Sequence, residues 1–440
     1  MFELEKILQG LYKIIYKDVK STDIINDLAK KNKDISYITK NIYGILENKI
    51  YLDYIIGKLS KRKIKNINKK VLIILEMGIY NIHFLSRKNY AIVDNLVELT
   101  KSFSKKSKGF VNAILRSFIR DEENLSQIDI NDKVKFLSVK YSMPVWIIKY
   151  LEKSYGLDFS LKFLKSLNEE RKLSIRVNKN KITKKDLKER LEKKGYKLNE
   201  SRISQLSLIV LNPSNLVDTS EFKGGLFTIQ SEGSIKVVEA LDPKKDSAIL
   251  DLCAAPGTKT SLIGEIVENK SSIIANDLVF DKLSKINENI ERLGLTNIKI
   301  TNFDASILVD DYIEKFDYVL CDLPCSGFGL IDRKPEIRYN RTMEDVINLS
   351  KLQKKILDRA FLYLKKGGIL LYSTCTLGDK ENLENYKYLE SKKKLKNIKI
   401  DGKSYIELNP FDDKTDAFFM TKFEKIWLWK IQLMISLLVK

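Results

Sequence analysis

Residues 248–266 read AILDLCAAPGTKTSLIGEI, and this stretch decides the fold. A short apolar run ends at Asp251, Leu252 and Cys253; Ala254, Ala255, Pro256 and Gly257 then form a tight turn, and a helical pattern opens near Thr258. Small residues let a ligand approach the backbone, and the free N–H groups of a helix start suit an anion. The stretch is neither a GxGxxG fingerprint nor a GxxxxGK[ST] phosphate loop. A carboxylate, such as the methionine end of a nucleoside cofactor, suits it.

Four more short apolar runs follow, alternating with helical patterns: SIIAND (272–277), IKITNFDA (298–305), FDYVLCDLPCSGFG (316–329) and GGILLYSTCTL (367–377). That alternation predicts a doubly wound, mainly parallel α/β sheet from about residue 226 to 425, with ligands bound beyond the carboxyl ends of its strands. The polar residues that end these strands are therefore the candidates. Asp277 lies about 20 residues past the first loop, where an acid reaches ribose hydroxyls. Asp304 ends the next run and is placed to bond an adenine amino group. Either acid alone reads as a helix N-cap, whereas the two at successive strand ends favour a nucleoside.

Asp322 and Cys325 end the fourth run, and Cys375 ends the fifth. Two thiols and a carboxylate on one rim suit cytosine chemistry. A thiolate adding to carbon 6 of the ring makes carbon 5 nucleophilic, and a carboxyl can stabilise the adduct at ring nitrogen 3. The chemistry does not choose between Cys325 and Cys375. Cys253 and Cys321 read as small buried hydrophobes.

The rest of the chain sets the context. Residues 1–125 repeat apolar positions three and four apart, as in VLIILEMGIYNIHFL (71–85), and predict an all-helical domain. Residues 126–225 mix helical patterns with strand candidates at LSIRVN (173–178) and SQLSLIVLN (204–212), a small α+β connecting domain. Lysine and arginine number 78 against 58 acids, a surplus that suits a polyanionic partner such as RNA. The single histidine, His83, makes Ser-His-Asp chemistry and His-ligated zinc improbable, and no cysteine pair has zinc-ligand spacing of the CxxC kind, so no metal is expected. The opening MFELEKILQGLYK has no apolar leader pattern, and the closing IWLWKIQLMISLLVK (426–440) is too short to span a bilayer. A cytoplasmic protein without a membrane partner is expected.

Together these segments resemble the bacterial ribosomal-RNA cytosine-5 methyltransferases of the RsmB (Sun/Fmu) family. Further matches are LFTIQSEGS (226–234), RKPEIRY (333–339), LQKKIL (352–357) and TDAFFMTKF (415–423). The stretch 90–118, with KGFVNAILR at 108–116, resembles the NusB-type RNA-binding domain, and 140–178 resembles the family's connecting region. The resemblance implies a Rossmann-like methyltransferase domain using S-adenosylmethionine, with contacts from Cys253, Ala254, Ala255, Pro256, Gly257, Thr258, Lys259, Asp277, Asp304 and Asp322. It implies Cys375 as the nucleophile, Cys325 in product release, Asp322 in polarising the cytosine ring, and small-subunit ribosomal RNA as substrate of a monomer. A tRNA-directed enzyme and a non-catalytic RNA-binding factor are the alternatives. Thr258 and Ala417 stand where the family commonly has glycine. A positive φ at 417 would make alanine costly there. The tail 426–440 extends past the usual family end and has no assigned role.

Overall fold

The computed structural model describes residues 2–31, 35–86, 90–169 and 172–426. The tail read from the sequence therefore lies, apart from Ile426, outside the described residues. No helix among them is long and apolar enough to cross a membrane. The chain forms two compact units, residues 1–168 with 330–342, and 169–329 with 343–440.

The first unit is helical and is built around Lys69–His83. Residues 71–82 of that helix are all buried, as expected of a helix that is apolar on every side. Asn68 caps it, its side chain accepting the N–H groups of Lys70 and Val71. Gly78 lets another helix approach, since a Cβ there would sit 2.4 Å from Leu115. Inside this unit Lys49 pairs with both Asp53 and Glu76 at 2.8 Å. His83 lies at the helix end, 3.0 Å from Glu122.

Residues 330–342 belong to this helical unit although the strands on either side of them belong to the other. Glu336 accepts the backbone N–H of Ser21 at 3.0 Å and its hydroxyl at 2.9 Å. Arg338 donates to the Glu47 carbonyl at 2.7 Å, Tyr339 to the Leu46 carbonyl at 2.6 Å, and Asn340 to the Ile14 carbonyl at 3.1 Å. The RKPEIRY segment is thus an element of the helical unit rather than a loop of the sheet. The helices between residues 126 and 168 pack with those before them, within this first compact unit.

The second unit holds two sheets. The smaller comprises β1 (Leu173–Val177), β2 (Leu198–Glu200), β3 (Ser207–Val210) and β4 (Phe227–Ile229), in the order β2-β3-β1-β4 with antiparallel pairs. Its fourth strand comes from LFTIQ, beyond residue 225. The larger comprises β5 (Ala248–Asp251), β6 (Ser272–Asn276), β7 (Ile298–Thr301), β8 (Phe316–Asp322), β9 (Leu364–Thr374), β10 (Leu395–Ile398), β11 (Tyr405–Leu408) and β12 (Phe418–Lys425). Its order is β10-β12-β9-β8-β5-β6-β7, with β11 also on β12. The pairs from β7 to β9 are parallel, as the alternation predicts, while β12 runs antiparallel to β9.

Side-chain alternation explains why the inner parallel strands are apolar on both faces, while the edge strand β7 carries an exposed Lys299. Leu250, Val319, Leu370 and Phe419 pack into one core, whereas Ile249, Leu320, Leu371 and Met420 pack into another on the opposite face. A strand covered on both faces reads as a continuous apolar run. The chain builds outward from β5 to β6 and β7, then crosses back to β8 and β9 on the other side. The switch point between β5 and β8 leaves a crevice at their carboxyl ends, where open α/β sheets bind ligands.

Glu336→Ala is expected to destabilise the helical unit by about 2 kcal/mol, because it leaves the buried N–H and hydroxyl of Ser21 without their acceptor. Thermal unfolding checks this, and an unchanged melting temperature would show that the segment is not integral to the unit.

Candidate active site

The loop after β5 is shaped by its own backbone bonds. The N–H of Ala254 donates to the Asn276 carbonyl at 2.7 Å, and that of Gly257 to the Ala254 carbonyl at 2.6 Å. Gly257 has φ +91°, and a Cβ there would lie 3.1 Å from the Cα of Ile286. Conformation and space both require glycine. The helix Thr258–Ile266 starts immediately afterwards, so its first N–H groups face the crevice end of the sheet.

Asp277 sits where the spacing put it, at the end of β6. One of its oxygens accepts the Ala255 N–H at 3.1 Å, and the other accepts the Val279 N–H at 3.0 Å. Asp304 follows β7 and accepts the Ser306 N–H at 2.8 Å through one oxygen. The apolar side chains of Leu278, Phe280 and Ile307, next to these acids in the chain, are exposed. Ala254 is buried, Ala255 is half-buried and Pro256 is exposed, so the loop offers a graded rim.

Asp322, at the end of β8, joins the end of β9 to the first turn of the helix that follows the β5 loop. Its Oδ2 accepts from Lys259 Nζ at 2.6 Å, and its Oδ1 accepts from the Ser373 hydroxyl at 2.7 Å. Burial by itself would lower the pKa of Lys259; the Asp322 carboxylate more than offsets this and raises it. The ammonium is therefore held as a fixed positive charge beside the loop.

Cys325 and Cys375 meet, their Sγ atoms 3.4 Å apart. The hydrogen bond with Cys375, followed by burial, pushes the Cys325 thiol well above the ordinary thiol range. Burial does the same to Cys321, inside β8, and to Cys253, which follows β5 in the turn and packs half-buried against the same core. The structure thus brings together Lys259, Asp322, Cys325 and Cys375, while Asp277 and Asp304 line the part of the crevice formed by β6 and β7.

Four residues of this neighbourhood escaped the sequence reading. Asn276, fully buried, donates to the carbonyls of Leu252 and Phe303 at 3.1 and 3.0 Å and accepts the Phe303 N–H at 2.9 Å. It stitches three strand-end loops together, and the AND triplet is its only sequence signal. Arg176, on β1, is fully buried; it donates to the Thr258 carbonyl at 2.7 Å and to Glu265 at 2.6 Å. A charge inside the apolar LSIRV run signals a buried partner without naming it. Glu381 lies buried under the thiol loops.

Asp251 is the fourth. It accepts the Thr260 hydroxyl at 2.7 Å through one oxygen, and its other oxygen is buried with no partner in the protein. Burial first, and then the charge of Asp322, push its pKa from 3.8 to about 7.

Three family models match the chain: the NusB family over residues 4–120, an RsmF/B-like ferredoxin-like domain over 143–217, and the 16S rRNA methyltransferase RsmB/F family over 238–424. A Bacillus subtilis protein, "Probable ribosomal RNA small subunit methyltransferase B", is 35% identical over 83% of this chain and 81% of its own length. "Ribosomal RNA small subunit methyltransferase B" of an Enterobacter species is 28% identical over 94% of this chain and 97% of its own. Among solved structures, NSun6 from Pyrococcus horikoshii, crystallised with SFG, aligns over 64% of this chain and 98% of its own at TM-score 0.59 and 25% identity. Another crystal structure, 24% identical, shares the fold over 96% of this chain and 98% of its own at TM-score 0.79.

The pKa of Asp251 gives a prediction with a definite sign. A carboxyl whose folded pKa lies above its unfolded value favours the fold only while protonated, so its contribution is lost as pH rises from about 4 through about 7. Asp251→Asn should narrow the difference in melting temperature between pH 5 and pH 8. An identical pH profile for the variant and the parent would rule out this role.

Proposed function

This chain belongs to the RsmB/F family of S-adenosylmethionine-dependent 16S rRNA methyltransferases, and on that premise we propose that it methylates carbon 5 of a cytosine in small-subunit ribosomal RNA through a covalent adduct with Cys375. The observation that carries the reading is the 3.4 Å approach of the Cys325 and Cys375 thiols beside the Lys259–Asp322 pair. The names of the relatives point to ribosomal RNA as substrate.

The crevice residues fit the cofactor. The unpartnered oxygen of Asp251 marks an acceptor awaiting a donor. The helix start at Thr258 and the cationic Lys259 suit a carboxylate, with the loop Cys253–Lys259 around it. Asp277 and Asp304 keep lone pairs free for hydroxyl and amino donors, since each carboxylate oxygen has more than one acceptor site. When bound, S-adenosylmethionine supplies an electrophilic methyl group.

The protein's part is to make carbon 5 a nucleophile and then to restore the base. The target base must first leave its stack. Cys375 adds as thiolate to carbon 6; the carbon 5–carbon 6 π electrons delocalise through carbon 4 onto nitrogen 3, which takes a proton from water and donates it in a hydrogen bond to the Asp322 carboxylate. Once carbon 5 carries the methyl group, its proton passes to a base. The electron pair of that C–H bond re-forms the double bond, and the Cys375–carbon 6 bond breaks with its pair returning to sulfur. Cys325 assists this release.

The attacking species is a thiolate. With the two sulfurs 3.4 Å apart, either thiol can serve the other, and the assignment of Cys375 as attacker follows the family resemblance.

Labelled methyl transfer from S-adenosylmethionine to unmodified small-subunit RNA tests the reading. Cys375→Ala should reduce incorporation by roughly a thousandfold or more, as loss of a covalent nucleophile does. Cys325→Ala should accumulate as an RNA-bound species on denaturing gels. Absence of label in RNA would reject the function. Incorporation that survives Cys375→Ala and disappears in Cys325→Ala would reverse the thiol roles.

A further inference from the structure

Beneath the two thiols lies a set of polar side chains that none of the steps above uses. Ser326, which follows Cys325, donates its backbone N–H to Glu381 Oε1 at 2.9 Å and its hydroxyl to Glu381 Oε2 at 2.5 Å. Its hydroxyl oxygen lies 2.6 Å from Oγ1 of Thr376, which follows Cys375. Because the Ser326 proton is committed to Glu381, Thr376 donates to Ser326. Thr376 Oγ1 in turn accepts the Phe328 N–H at 3.1 Å. The bonds therefore run in one direction, from Phe328 through Thr376 and Ser326 to the Glu381 carboxylate. Such chains polarise their members cooperatively.

A second donor holds the same carboxylate. Gln353 donates to Glu381 Oε1 at 3.0 Å and to the Pro324 carbonyl at 2.8 Å, so it also grips the loop that carries Cys325. Ser326, Gln353, Thr376 and Glu381 are each at most 1% exposed. A buried carboxylate costs stability unless its oxygens are bonded, and here they are bonded mainly by the loop of Cys325.

We propose that Glu381 is a positioning residue: through Ser326 and Thr376 it holds Cys325 within reach of Cys375, and so governs release of the covalent adduct rather than its formation. This rests on the functional reading above. Adduct formation needs Cys375 and the base. Release additionally needs Cys325, whose loop is the one Glu381 binds directly. Loosening that loop by about 1 Å is enough to slow a positioned step by roughly a hundredfold.

Steady-state methylation and the first turnover, measured together with the denaturing-gel assay, test this on the full chain with unmodified small-subunit RNA and S-adenosylmethionine. Glu381→Ala and Ser326→Ala should retain a burst of about one methyl group per enzyme. Steady-state turnover should then fall about tenfold to a hundredfold while covalent RNA accumulates. Glu381→Gln, which keeps an acceptor for the Ser326 N–H, should fall between them and the parent. Ser326→Ala removes one hydroxyl and carries the test should Glu381→Ala not fold. Loss of the burst together with turnover, or turnover equal to the parent, would overturn the proposal. If the parent transfers no methyl group, or Cys325→Ala traps no adduct, it is the functional reading that fails.

Discussion

The Asp322 carboxylate is the point on which the site depends. It takes the Lys259 ammonium with one oxygen and the Ser373 hydroxyl with the other, and thereby binds the loop after β5 to the ends of β8 and β9. Asp322 is half-buried and both of its oxygens are bonded, so separating the three elements gives up two charge-assisted hydrogen bonds. Parallel strands make the arrangement possible. They deliver their carboxyl ends to one rim, and the reversal of strand order between β5 and β8 leaves that rim open.

Around that hub, residues that touch no reacting atom set most of the geometry. Asn276 bonds to the loops after β5 and β7 from the end of β6. Arg176 reaches from the small sheet to the first carbonyl of the helix that follows the β5 loop. Each occupies a buried position where an apolar side chain would pack without binding the loops. The fold exchanges a plain core at these points for fixed positions of the crevice.

The departures from the family's glycine pattern are also intelligible. Ala417 is not among the residues of positive φ, so the left-handed conformation that would penalise alanine is absent. Its Cβ is accommodated because the facing residue is Gly329, where a Cβ would lie 2.9 Å from that of Ala417. Thr258 likewise has ordinary helical backbone as the first residue of its helix. Gly257, immediately before it, is the glycine the turn requires.

The sequence by itself determined the five parallel strands, because each is a short, largely apolar run bounded by turn residues and alternating with helical patterns; the inner strands are covered on both faces, and only the edge strand β7 alternates with an exposed Lys299. It also placed Asp277, Asp304, Asp322, Cys325 and Cys375 on one rim, because strand-end residues share an edge whatever the details of packing. Only the tertiary structure decided which of them meet. The approach of the two thiols, the Lys259–Asp322 pair and the carboxylate of Glu381 under both thiol loops are contacts across tens of residues, with no local signature. The same holds for β12, which joins β9 from far along the chain, and for residues 330–342. Their sequence position assigns that segment to the sheet, and Glu336, Arg338, Tyr339 and Asn340 bind it instead to the helices. Local pattern reports what a residue does to its own backbone; partners chosen by packing leave no trace in it.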